Sequence, residues 1–122
     1  MPTLEETVSL ACNLAPDYYA KNLSPYALMQ LSGYLENGKA IETSMLRKHV
    51  EQHPELVKRW LVYSADKRVD SGWYFSAETA HGPYVVGHFP GRVDSSDQSF
   101  SDGLEACALF IKRELDEMRI SR

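Results

Sequence analysis

Hydrophobic positions along the chain follow two different periods. Up to about residue 65 they recur every three or four positions, as on one side of an α-helix. Between 70 and 92 they fall in short aromatic and β-branched runs, and from 101 onward the helical spacing returns. The pattern predicts one α+β domain over 1–122. Residues 1–65 form a helical part of about four helices. Residues 70–122 form a small antiparallel hairpin or sheet and a long amphipathic C-terminal helix packed on it.

The punctuation of the helical part is readable. Thr3 and Glu6 have the spacing of a capping box, and the first helix is expected from Leu4 to Leu14, with Leu4, Val8, Ala11 and Ala15 on one stripe, Cys12 beside it and Pro16 as its stop. Ser24 caps the second helix, Pro25 opens it and Asn37-Gly38 closes it, with Leu28, Leu31 and Leu35 inward. Gly33 within it costs about 1 kcal/mol against Ala and suggests a close helix crossing. A third helix is expected over Thr43–Gln52 on Met45, Leu46 and Val50. A fourth starts at Pro54 with His53 near its cap, carries Leu56, Val57, Trp60 and Leu61, and fades near Ala65.

Asp70-Ser71-Gly72 interrupts the helical spacing. Trp73-Tyr74-Phe75 and Tyr84-Val85-Val86-Gly87-His88-Phe89 read as strands, joined by the turn chemistry of Thr79-Ala80-His81-Gly82-Pro83. A further strand is expected near Arg92-Val93, and residues 94–102 read as a polar loop. Asp102 and Glu105 suggest a second capping box, followed by the cleanest helical stripe in the chain: Leu104, Cys107, Ala108, Ile111, Leu115 and Met118. An isolated hairpin is marginal in water, so this last helix is its expected cover.

Charge and composition narrow the function classes. The net charge of −4 argues against a general binder of nucleic acid or anionic membrane. Two cysteines are too few for a secreted disulfide scaffold, and MPTLEETVSL has no basic segment of the kind a signal peptide opens with. No apolar run approaches the roughly 18–20 residues of a membrane span. A cytoplasmic protein with reduced thiols is expected. No cofactor is expected either, since neither G-x-G-x-x-G, nor a phosphate-binding G-x-x-x-x-G-K-[ST] loop, nor G-x-S-x-G occurs.

Several weaker constellations remain. His49 and His53 stand four apart, but the order His-Val-Glu-Gln-His lacks the glutamate directly after the first histidine that zinc proteases use, so a solvated helix face is the simpler reading and no metal site is expected. The 94–102 acids do not have calcium-loop spacing. Cys12 and Cys107 lie on apolar stripes and read as small core residues. No catalytic residue is assigned, although an enzyme with a dispersed site around His81 and His88 is an alternative. A second alternative is a winged-helix-like DNA binder using 43–68, with Arg47, Lys48, Lys58 and Arg59 near phosphates.

The leading expectation is a non-catalytic protein-binding domain. Residues 63–122 carry 10 acidic against 7 basic side chains, a balance suited to a basic protein partner such as a nuclease toxin, in the manner of bacterial immunity proteins. The expected contact residues are Tyr74, Tyr84, His88, Asp94 and Asp97. An isologous homodimer through the hairpin aromatics or the final helix is a further expectation.

Overall fold

The computed structural model describes residues 2–67, 72–89 and 98–120. Helix α1 (Leu4–Cys12) starts at the expected capping box: Thr3 Oγ1 accepts from the Glu6 N–H at 3.1 Å, and Glu6 Oε1 accepts from the Thr3 N–H at 2.8 Å. It ends two residues early, where the chain bends at Asn13, whose Nδ2 donates to Ser9 O at 2.8 Å. Helix α2 (Leu14–Lys21) begins at once. Pro16 therefore sits in the first turn of α2 instead of stopping a helix. First-turn N–H groups have no intrahelical acceptor, so a proline there forfeits nothing.

The expected second helix is two pieces, α3 (Pro25–Leu31) and α4 (Tyr34–Asn37). Ser24 and Pro25 open α3 as anticipated, with Ser24 Oγ accepting from the Ala27 N–H at 3.1 Å. The division falls at Gly33, whose φ is +84°. A Cβ at this position would also meet Thr7 Oγ1 at 2.9 Å, so α1 and the break approach each other closely. Gly33 is thus a left-handed turn and not a tolerated defect inside a helix. The break turns Leu31 outward to 64% exposure, while Leu28 and Tyr34 face the core. A single 3₁₀ turn (Gly38–Ala40) leads to α5 (Thr43–Gln52) and α6 (Glu55–Lys67), close to their expected bounds.

The strands β1 (Gly72–Ala77), β2 (Tyr84–Phe89) and β3 (Gln98–Phe100) form an antiparallel sheet in the order β1-β2-β3. β3 lies within the segment expected to be loop: three residues pair with the second edge of β2, too few for a periodic signal. Arg92-Val93 lie outside the described residues. Register pairs Trp73 with His88, Phe75 with Val86, and Ala77 with Tyr84, so these six share one face; Tyr74 takes the other. On the outer edge of β1 the Phe75 N–H donates to Ser64 Oγ of α6 at 2.8 Å.

Helix α7 (Gly103–Ile120) joins the two parts. Asp102 caps it, with Oδ1 accepting from the Leu104 N–H at 2.9 Å. Glu105 does not simply complete a box, because its carboxylate reaches Arg47 Nε at 3.2 Å. The predicted stripe is buried at Cys107, Ala108, Ile111 and Leu115, but Ala106 and Phe110 are buried as well. Phe110 stacks on Phe75 (5.7 Å between centroids, planes 25° apart) and meets Trp60 edge-on at 5.8 Å and 76°. The helix therefore packs on the sheet and on α5, and Phe110 reaches α6 as well. Among the described residues no helix is long and apolar enough to cross a membrane.

Phe110→Ala should destabilise the fold by about 3–5 kcal/mol in denaturant titration, since it opens a cavity between two aromatic partners. Leu31→Ala should stay within about 0.5 kcal/mol. Gly33→Ala should cost at least about 1 kcal/mol, because it forces an L-residue into the left-handed region against Thr7.

Candidate binding surface

The contact residues expected on the hairpin do not form one surface. Tyr84 turns inward, stacked on Phe75 at 6.2 Å and 29°, and its ring lies where a Cβ on Gly103 would come within 2.9 Å of it. It is packing for the start of α7. His88 shares that inner face; the Trp73 ring stands edge-on to it at 5.0 Å, and Nε2 lies 3.3 Å from Glu117 Oε2. Arg113 in turn sits 5.1 Å from the Trp73 ring centroid. Tyr74 alone of the three is on the opposite face. Asp94 and Asp97 lie outside the described residues. His81 is exposed in the hairpin turn, beyond the Ala77–Tyr84 end of the ladder, whereas His88 is near the other end opposite Trp73. The two imidazoles considered for a dispersed site are not brought together.

The basic candidates divide in a similar way. Arg47 is held by three carboxylates: Asp102 Oδ2 at 2.8 Å, Glu105 Oε1 at 3.2 Å and Glu51 Oε1 at 3.5 Å. Its guanidinium ties α5 to the start of α7 and is not presented to a phosphate. The Arg47 hydrogen bond holds the Asp102 carboxyl below the usual carboxylate range. Lys48 is exposed beside a groove between α1 and α5, and Lys58 and Arg59 are exposed on α6.

Two acids of the second half are engaged inside the fold. Glu114 Oε2 accepts from the Tyr63 hydroxyl at 2.9 Å, and Asp116 Oδ1 accepts from the Tyr34 hydroxyl at 2.7 Å. Lys112 Nζ completes the second group, donating to Tyr34 Oη and to Gly38 O, both at 3.0 Å. Burial, then the neighbouring carboxylate, raises both tyrosine hydroxyls well above their ordinary value, so they stay neutral donors. Glu114 and Asp116 thus serve as partners for buried hydroxyls.

Among the exposed large hydrophobic side chains are two adjacent tyrosines that were not among the expected contacts. Tyr18 and Tyr19 at the end of α2 are 36% and 47% exposed, with Leu23 at 37% just beyond. Tyr18 and Tyr19 meet edge-on at 5.2 Å, and Tyr18 meets the buried Tyr63 ring at 5.7 Å. The Tyr19 hydroxyl donates to Asp66 on α6. Partial desolvation, then that carboxylate, pushes it up to about 12. Val62, 46% exposed, lies one turn before Asp66 on the same face of α6. Tyr18, Tyr19, Asn22, Leu23 and Ser24 line a shallow concavity of about 490 Å³. Two partly exposed rings with neighbours to hold them are preorganised contact anchors. The rim is mixed in sign: Asp17 and Asp66 stand with Lys21 and Lys58. The sequence signal is small but present, a Tyr-Tyr pair where α2 needs no second apolar side.

Both cysteines are free and buried. Desolvation pushes the Cys12 thiol up to about 12 and Cys107 well above its ordinary value, the opposite of an activated nucleophile. A thiol-specific reagent at pH 8 should therefore label neither in the native protein and both after denaturation. Replacing Arg47 with Ala should raise the Asp102 carboxyl titration seen by NMR. With Arg47 present, the depressed folded pKa favours the fold above the unfolded carboxyl pKa. That gain disappears as pH falls through the folded one.

No protein-family model matches the chain, and neither a curated protein nor a solved structure matches it, so the case for function rests on geometry.

Proposed function

We propose that the protein is a small, non-catalytic binding domain that works in the cytoplasm and engages another protein through Tyr18, Tyr19, Leu23 and Val62. The observation that carries this reading is the Tyr18–Tyr19 pair, braced by Tyr63 and Asp66 with both rings more than a third exposed. Rigid, amphipathic rings of this kind lose little entropy on binding and bury much area. The net charge of −4 favours a basic partner, acting over distance on approach while the aromatic patch supplies the contact. Inhibition of a basic toxin, as by an immunity protein, is the specific role that fits this division of labour.

The test is retention of partners on immobilised protein, comparing the natural chain with a Tyr18→Ser, Tyr19→Ser double variant. The natural chain should hold a positively charged polypeptide, less well as salt rises, and the double variant should release it. For the purified pair, each tyrosine truncated to Ala should cost about 2 kcal/mol, or about thirtyfold in Kd. Tyr18 also touches the buried Tyr63, so circular dichroism and the melting temperature check that the double variant is folded. Retention that does not depend on the tyrosines, or of an acidic polypeptide only, would overturn the reading.

A further inference from the structure

The C-terminal end of α5 carries two imidazoles one turn apart. The rings of His49 and His53 have centroids 4.8 Å apart and planes tilted by 38°. Two imidazoles bound to one metal ion at about 2.0–2.1 Å, with an angle of about 90–109° between the bonds, have centroids roughly 4.5–5.2 Å apart. The observed centroid separation lies inside that window.

His49 Nε2 is shut off from solvent and has no hydrogen-bond partner among the described residues. A buried ring nitrogen left in this state is uncommon and invites a ligand. On the other side, Glu55 Oε2 lies 4.0 Å from His53 Nδ1. Glu5 and Lys48 line the same groove as His49, one charge offsetting the other. Glu51, the acid between the two histidines, faces Arg47 at 3.5 Å and is not part of the pair.

We propose that His49 and His53 form a two-imidazole clamp for a borderline divalent metal of the Zn²⁺, Ni²⁺ and Cu²⁺ class, with water in the remaining positions. No group of three or more potential protein ligands surrounds one ion among the described residues, so the clamp is an exchangeable site on a helix end. Its ligands are neutral imidazole nitrogens, which suit borderline ions and not the hard, oxygen-preferring Mg²⁺ and Ca²⁺. The site is independent of the tyrosine surface: it stands on α5, not on α2.

Calorimetric titration of the full chain without an affinity tag tests it, using Zn²⁺ and Ni²⁺ near pH 7.5 in a non-chelating buffer. One ion per chain should bind saturably at submillimolar metal, and Mg²⁺ should not. His53→Gln alters an exposed side chain and keeps the fold, checked by its melting temperature. It should weaken binding at least about tenfold, as should His49→Gln, while His81→Gln leaves it unchanged. Absence of saturable binding, or binding that survives His53→Gln at the natural affinity, would overturn the proposal.

Discussion

The contact between Phe110 and its two aromatic neighbours is the constraint on which the rest of the structure depends. Phe75 comes from the sheet and Trp60 from α6, and Phe110 occupies the space between them. Neither layer could close alone, since a three-stranded sheet with one 3-residue strand has little area to bury. α7 supplies the missing wall for both. This is why an 18-residue helix of nearly neutral mean hydropathy can stand at the centre of the molecule. Its apolar residues face two ways, and the polar residues between them must find partners at close range.

Those partners come from side chains remote in sequence. Tyr63 answers Glu114, Tyr34 answers Asp116 and Lys112, His88 lies on Glu117, and Arg47 gathers Glu105 with Asp102. Each link joins α7 to a different element, so the helix is positioned by charge and hydrogen bonding as well as by packing. A buried polar group without its partner costs more than a formed pair contributes, which favours one arrangement over its alternatives.

Element type was legible in the sequence wherever a period and a cap coincided. Thr3 with Glu6, Ser24 with Pro25, and Asp102 ahead of the Leu104–Met118 stripe each mark a real helix start. What the local signals missed was set by tertiary contact. Gly33 suggested a close helix crossing, which its approach to Thr7 fits, but its φ of +84° makes it a break between two helices, which the spacing does not reveal. Tyr84 looked like a surface aromatic until register paired it with Ala77 and placed Gly103 beneath its ring. Gln98–Phe100 carries no strand period, and pairs because β2 offers a second edge. Tyr18 and Tyr19 went unnoticed as contact residues because exposure is a property of the assembled surface and not of their spacing.

The hydrogen bond from the Phe75 amide to Ser64 has a consequence for self-association. Sheet edges with free amides are templates for strand addition between molecules. Here α6 lies along the β1 edge and takes one of those amides for itself. Recruitment of a second ribbon at that edge would require α6 to peel away and Trp60 to leave the core. The barrier to fibre-like assembly through β1 is therefore tied to the global stability of the molecule.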